Sequence, residues 1–385
     1  MKEGWQIKTI SDLCDVIAGQ SPEGRYYNSE KQGIPFYQGK KDFGEKYVEP
    51  PTCWTTQTTK VALEGDILMS VRAPVGPVNY ATQEICIGRG LAAIRSRSVD
   101  RDFLFYQLLY LQPKIAGRDG AVFSSINKSE IESLTISVSP LPEQQRIVAI
   151  LDAAFADLAQ ARANAEKNLA NAKELFASEL NAIFTRKGEG WVEKKLYEVA
   201  EYFGRGKSKH RPRNDPKLYD GQYPFIQTGD VRNSRHVITT YSQTYNDVGL
   251  AQSKLWPKWT VCITIAANIA ETGVLDFDAC FPDSIIGFIP HKDKSDSFFV
   301  GYLMDFFKLK VQEKSKGSAQ QNINLATFEN MRFPFPSLTE QKRIVARLDE
   351  LSEYSQKLEA IYKRKLFLYD EMKQSLLHQA FSGEL

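Results

Sequence analysis

Little in this chain invites covalent chemistry. It has five cysteines, Cys14, Cys53, Cys86, Cys262 and Cys280, and none stands at CxxC spacing to another. That excludes a zinc ribbon or a dithiol redox motif, and scattered free thiols suit a reducing cytosol. The four histidines, His210, His236, His291 and His378, show no metal-ligand spacing. No GxSxG, paired-carboxylate or nuclease-type arrangement stands out. Gly206-Lys207-Ser208 has Glu201 where a phosphate loop requires glycine. Glu49-Pro50-Pro51-Thr52 lacks the acceptor side chain and stacking aromatic of an amino-methyltransferase motif, and reads as a turn. These absences predict a chain that is not an enzyme.

Other shortages bound its class. Net charge is only +2, from 49 basic and 47 acidic residues, so composition neither demands nor excludes nucleic acid. The longest apolar stretch, 261–270, is far too short for a bilayer, and the opening MKEGWQIKTI has no apolar signal region. Glycine and proline are missing from residues 143–187 and again from 340–382. Two uninterrupted helices of about 44 residues, each roughly 65 Å long, are expected there. With 385 residues the chain is long enough for two domains.

What is present is a repeat. Residues 143–152 read EQQRIVAILD and residues 340–349 read EQKRIVARLD, eight of ten identical at an offset of 197. The register continues through Gly120/Gly317, Ile126/Ile323, Asn127/Asn324, Leu180/Leu377 and Phe184/Phe381. Upstream the offset drifts, but Pro35-Phe36-x-Gln38 still answers Pro224-Phe225-x-Gln227, and Gly4-Trp5 answers Gly190-Trp191. A repeat this long implies two similar units. Short β-branched runs at 65–71, 134–138 and 261–265 predict strands, and 102–111 and 297–309 predict helices.

The long helices carry apolar residues at alternating three- and four-residue steps. They are Val148, Leu151, Phe155, Leu158, Ala165, Leu169, Ala172 and Phe176 in the first, and Val345, Leu348, Tyr362, Leu366, Tyr369, Leu376 and Ala380 in the second. This is a coiled-coil seam. Pro142 suits a first helical turn and Thr339 an N-cap. The fold class expected is α/β: two similar mixed α/β globular domains separated by two long helices forming an antiparallel coiled coil, a pseudo-twofold internal repeat. The expected boundaries are 1–141, 142–187, 188–338 and 339–385.

Binding chemistry is better represented than catalysis. Residues 205–213, RGKSKHRPR, place Arg205, Lys207, Lys209, Arg211 and Arg213 within nine positions, with no acid between Glu201 and Asp215. Such a run can neutralise several phosphates, although most charge runs are merely solvated loops. The first unit has a loop at a comparable place, 20–28, with Arg25 and Tyr27. Other loops are rich in groups that read base edges. In the first unit these are Gln38, Lys40, Lys41, Arg72, Ser125, Asn127 and Lys128. In the second they are Gln227, Thr228, Arg232, Asn233, Gln320, Gln321, Asn322 and Asn324. Arginine and lysine suit guanine O6/N7; asparagine and glutamine suit adenine N6/N7.

Together, several features resemble the specificity subunits of type I restriction-modification systems. They are the two Glu-Gln-x-Arg-Ile-Val-Ala-x-Leu-Asp helix entries (Pro140-Leu141-Pro142 before one, Ser337-Leu338-Thr339 before the other), the Phe-(Ser/Thr) helix ends, the Gly-Trp openings and the Ile-Asn loops. The resemblance covers essentially the whole chain. It implies two target-recognition domains, each reading one half of a split, asymmetric double-stranded DNA site. The helix pair would set the unread spacer and dock two adenine-methyltransferase subunits. Contacts to these partners would fall at Glu143, Gln144, Arg146, Glu340, Gln341 and Arg343. ATP-dependent restriction subunits would complete the assembly. No cofactor is expected on this chain; S-adenosylmethionine, ATP and Mg would belong to the partners. The alternative reading is a coiled-coil scaffold for protein partners with incidental DNA binding.

Overall fold

Proline and a serine hydroxyl start the two long helices. In the computed structural model, which describes residues 4–117, 125–234, 236–265, 270–315 and 325–385, the first runs Leu141–Arg186 and the second Leu338–Ser382. Pro142 lies in the first turn as expected. In the second helix the capping group is Ser337, whose Oγ accepts the Glu340 N–H at 3.3 Å. Thr339, expected as the cap, lies one residue inside the helix.

The chain divides into two compact units, Met1–Glu166 with Arg364–Leu385, and Lys167–Lys363. Each helix therefore contributes one half to each unit. In the first unit the core sheet is antiparallel, in the order Cys14–Ala18, Leu91–Ser96, Ile67–Ser70, Val78–Tyr80. A second, mixed sheet contains Ile34–Tyr37 beside Trp54–Thr55 and, in parallel, Ile85–Ile87. Gln6–Thr9 pairs with Thr135–Val138.

The second unit repeats this plan. Ala200–Arg205, Ile285–Pro290, Val261–Thr264 and Thr272–Leu275 follow one another in its core sheet, with His236–Ile238 added in parallel at the far edge. Tyr219–Phe225 pairs with Gln243–Tyr245 and, in parallel, with Ala279–Cys280. Val192–Lys194 pairs with Phe333–Phe335. The helix Arg101–Ile115 of the first unit answers Ser297–Ser315 of the second.

Aspartates start those helices in the same way. Asp100 accepts the N–H groups of Asp102 and Phe103, and Asp296 those of Phe298 and Phe299. This occupies donors that a helix start leaves open.

The ends of the long helices complete the globule cores. Ile147 and Leu151 of the first helix and Leu377, Ala380 and Phe381 of the second are buried in the first unit's core with Trp5 and Phe103. The second unit buries Leu180, Phe184, Ile344 and Leu348 with Phe299. The ring of Phe381 lies 5.3 Å from that of Phe103, and the ring of Phe184 lies 5.5 Å from that of Phe299. Each such side chain contributes roughly 1.5–3 kcal/mol on burial.

The seam is consequently shorter than the apolar pattern suggested, because Leu151 and Leu348 serve the globules. Between them the buried positions are small: Ala165, Ala172 and Ser355, whose Oγ donates to the Ala172 carbonyl at 2.5 Å. Within each unit the two helices run antiparallel. Arg146 meets Leu385 and Arg162 meets Asp370 in the first unit; Ala172 meets Ser355 and Glu179 meets Arg347 in the second.

Candidate nucleic-acid interface and helix entry

The candidate binding loops at 20–28 and 205–213 both hang on a glycine that admits no side chain. A methyl group on Gly19 would lie 2.2 Å from the carbonyl oxygen of Gly88; on Gly206 it would lie 2.3 Å and 2.4 Å from those of Phe281 and Pro282. Gly19 N–H donates to Leu91 and Gly206 N–H to Ile285, at equivalent places in the two core sheets. The loop beginning at Gln20 and the basic loop beginning at Lys207 therefore leave their frameworks at the same point.

In the second unit the basic loop starts extended. Arg205, Lys207 and Lys209 are exposed, with Gly206 and Ser208 buried between them. Gln252 pins this stretch: its Oε1 accepts the N–H groups of Lys209 at 2.6 Å and His210 at 3.0 Å, while Ser253 Oγ donates to the Lys207 carbonyl at 2.8 Å. Arg211 folds back onto the Ser208 and His210 carbonyls.

The fold also supplies acids that the linear run lacked. Arg213 meets Asp283 at 2.6 Å, and His210 meets Asp215 at 2.8 Å. The hydrogen bond from His210, followed by contacts from Lys217, holds the Asp215 carboxyl below its ordinary value. Five cations in sequence are thus four in effect, since Arg213 carries its own counter-charge.

A cleft of about 260 Å³ joins this loop to the neighbouring strand pair, bringing together Ser208, Arg213, Gln227, Thr228 and Gln243. Its aromatic floor is Phe225 stacked on Tyr245 at 4.0 Å. Gln227 N–H donates to Asp230, and Gln227 Nε2 donates to Gln243 Oε1 at 2.5 Å. Arg232 does not line this cleft. It lines a separate cavity with His236, Glu271 and Asp305, where the His236 ring stacks on Tyr302 at 4.1 Å. Asn233 ends the short helix Thr228–Asn233 and is exposed. Gln320, Gln321, Asn322 and Asn324 lie outside the described residues.

In the first unit, Gly90 links three of the expected loops. A methyl group there would meet the Gln38 carbonyl oxygen at 2.3 Å, and the Gly90 carbonyl accepts the Val71 N–H. Ile126 N–H donates to Val71, and Arg72 forms a β-bridge with Ser125. Gln38, Arg72 and Ser125 are therefore neighbours through backbone contacts, and all three are exposed. Arg89, beside Gly90, is exposed too, and its N–H donates to Ser21 Oγ. It is not among the sequence candidates above, and its one signal in the sequence is an arginine between two glycines. Its counterpart in the second unit is Asp283, so the same place carries opposite charge.

The remaining candidates of the first unit are dispersed. Tyr27 stacks on Phe36 at 4.8 Å and donates its hydroxyl to Pro22. Arg25 pairs with Glu23, Lys41 sits 3.8 Å from Asp42, and Lys40 opens the same short turn. Asn127 caps the helix Lys128–Glu132: its Oδ1 accepts the Glu130 N–H at 3.0 Å. That bond engages the oxygen of its amide and leaves the Nδ2 group outside it. Lys128 forms an i,i+4 pair with Glu132.

At the helix entries the repeat is explained by internal contacts. Gln144 is buried; its Oε1 accepts the Asp100 N–H at 2.8 Å and its Nε2 donates to Ser139 at 2.6 Å. Gln341 is buried likewise, taking the Asp296 N–H at 3.0 Å and donating to Pro336 and Lys294. Both glutamines tie the start of a long helix to the capped start of a globule helix. They offer no surface, which corrects their expected role as partner contacts.

Glu143 with Arg146 and Glu340 with Arg343 form matching two-pronged pairs at 2.7–2.9 Å. The bond from Arg343 holds the Glu340 carboxyl below its ordinary value. Glu340 and Arg343 line a cavity of about 290 Å³ with Arg186, Trp191 and Arg347.

Burial pushes the Cys14 and Cys280 thiols up to about 12 and about 11, so neither is a thiolate at neutral pH. Among the described residues, no group of three or more His, Cys, Asp or Glu side chains is placed to hold a metal ion, and no helix is long and apolar enough to cross a membrane.

Comparison with known proteins follows the same two-part plan. The family model of the type I restriction modification DNA specificity domain matches twice, at residues 2–167 and 188–365. A putative type I restriction enzyme MjaX specificity subunit from Methanocaldococcus jannaschii is 41% identical over 190 residues, 48% of this chain and 44% of that relative, so the match spans less than half of its length. Two solved structures share the fold at 18% identity. One, from work on complex assembly and conformational transition of the type I R-M system, has a TM-score of 0.78 over 100% of this chain and 99% of its own. The other, the HsdS subunit from Thermoanaerobacter tengcongensis, has a TM-score of 0.68 over 100% and 98%. The chain, with both its units matched, belongs to the type I restriction modification DNA specificity domain family.

Proposed function

We propose that this chain is the non-catalytic DNA sequence-specificity subunit of a type I restriction-modification enzyme, acting in the cytoplasm. Each unit reads one half of a bipartite, asymmetric site in double-stranded DNA. The long helices set the length of the unread spacer and dock two adenine-methyltransferase subunits. ATP-dependent restriction subunits join the complex, and S-adenosylmethionine, ATP and Mg are held by those partners.

One observation carries this reading. Two frameworks that share the order of four core strands and the same glycine-anchored loop exit present different side chains at equivalent places: Arg89 against Asp283, and a cationic loop against a near-neutral one. Shared scaffolds with divergent exposed loops are what two readers of different base sequences require. B-DNA repeats its groove every ~34–36 Å, so two readers on one face need a defined separation.

Docking of protein partners is supported by apolar side chains left at least half exposed on the second helix: Tyr354 at 56%, Phe367 at 50% and Met372 at 50%. The test is to map modified adenines in a host carrying this chain with its methyltransferase. A bipartite, asymmetric sequence is expected; modification without a split sequence would contradict the reading.

A further inference from the structure

We propose that Gln243 is a specificity-determining residue of the second unit, forming with Gln227 a joint donor–acceptor edge that reads an adenine in the major groove. This rests on the reading of that unit as a DNA reader and names what one part of it recognises.

The argument begins with the strand pair. Gln243 stands across from Phe225, two residues before Gln227. Its carbonyl oxygen takes a hydrogen bond from Gln227 Nε2 at 2.5 Å. Both side chains are exposed and line the same cleft, beside Ser208 and Arg213 of the basic loop. Their neighbourhoods are also tied: Asp230 accepts from the Gln227 N–H at 2.8 Å and from the hydroxyl of Ser242, the residue before Gln243, at 3.4 Å. Two long side chains that would otherwise sample many rotamers are thus fixed as a pair.

Coupling changes what the pair can recognise. A free glutamine offers a donor and an acceptor on one amide, which can turn over. In the coupled pair, whose two side chains are both exposed, Gln227 Oε1 is left as an acceptor and Gln243 Nε2 as a donor. Exchanging the two ends of both amides would still leave one donor and one acceptor. Adenine presents the complement in the major groove, an N7 acceptor beside an N6 amino donor. Guanine presents two acceptors there, N7 and O6, and would set one of them against the glutamine oxygen. Thymine offers an acceptor and a methyl, and cytosine a donor alone.

Comparison of the units isolates the residue that matters. Gln38 is the counterpart of Gln227, and it too follows a Pro-Phe strand. Across from Phe36, whose N–H donates to the Cys53 carbonyl, the place of Gln243 is taken by Cys53. The Cys53 thiol turns to the carbonyl of Trp54 and makes no amide pair. The glutamine is shared; its coupling partner is not. A residue that differs at the edge of a common framework is where two readers acquire different sequences.

The experiment uses the complete methyltransferase complex containing Gln243→Glu or Gln243→Ala. Glutamate keeps an oxygen for Gln227 but loses the donor. Adenine methylation is mapped in the host, and purified complexes compete for duplexes carrying each base at each position of the second half-site. The parent should prefer adenine at one such position by about 5- to 150-fold. Both variants should lose most of that preference, with glutamate shifting it toward cytosine, while the first half-site stays unchanged.

Variants that keep the parental ratio at every position would overturn the inference. A variant too weak to methylate is judged by the same binding ratios, because Gln243 lies on the surface and its loss leaves the core intact. If the parent itself shows no split sequence, the underlying reading falls; if the parent is bipartite and the variants match it, this inference falls alone.

Discussion

Tyr106 donates its hydroxyl to the carboxylate of Asp152 at 2.5 Å, and Lys46 reaches the same oxygen at 3.0 Å. In the second unit Tyr302 donates to Asp349 in the same way. The aspartate that closes each EQxRIVAxLD motif is therefore a fastener between a long helix and the globule it follows. Burial alone would raise the Asp152 pKa, but the bonds from Tyr106 and Lys46 outweigh it and hold the carboxyl below its ordinary value.

The fastener makes a pH-dependent prediction. A carboxyl with a depressed folded-state pKa stabilises the fold above its unfolded value, near ~3.9, and that contribution disappears as pH falls through the folded value. Tyr106→Phe should lower stability at pH 7 by about 1–2 kcal/mol, and the gap to the parent should narrow at pH 3, below the unfolded value. Urea unfolding at the two pH values measures it; an equal gap at both would contradict the account.

The buried glutamines should matter more to stability than to partner contact. Gln341→Ala leaves the Asp296 N–H and the Pro336 and Lys294 carbonyls without their amide partner. Each buried group left unsatisfied costs about 1–3 kcal/mol. Unfolding midpoints of Gln341→Ala and Gln144→Ala should both fall. Unchanged midpoints with weakened assembly would restore these residues to the partner surface.

Gly206→Ala drives a methyl group into two backbone carbonyls that cannot move independently of the core sheet. Overpacking of this kind costs about 1–3 kcal/mol and displaces the exit of the basic loop. Affinity for the second half-site should drop while the first half-site is still discriminated, as competition with half-site duplexes would show. Loss of both preferences together would argue against separate readers.

Salt dependence tests the cation count. Removing Lys207 or Lys209, which are exposed, should each reduce the slope of log K against log salt by about 1. Removing Arg213, already paired with Asp283, should reduce it by clearly less. Titrations at several salt concentrations decide this. Equal slopes for the parent and all three variants would favour a scaffold that meets DNA only incidentally.

How much of this was legible beforehand follows from which interactions are local. The long helices were readable because they need only an unbroken run and a start signal, and the repeat made the doubling visible. The role of the repeat was not readable. Gln144 and Asp152 look like exposed polar residues of a helix, and only the fold brings Asp100 and Tyr106 to them. The apolar spacing likewise read as a seam because a helix face carries the same period whether it meets another helix or a globule.

Within the candidate site, Gln227 is legible from the base-reading composition of its loop. Gln243, sixteen residues on, belongs to it only through strand register, and the neutralising Asp283 lies seventy residues from Arg213. Charge counted along the chain overstates charge in space whenever a distant strand end carries an acid.

The central claim is that one chain carries two independent readers. Its most direct measurement is the methylated sequence of a host whose chain has residues 1–141 replaced by the corresponding segment of a relative with a different sequence. The account predicts that one half of the bipartite sequence changes while the other half and the spacer between them persist. A sequence altered in both halves, or in neither, would contradict it.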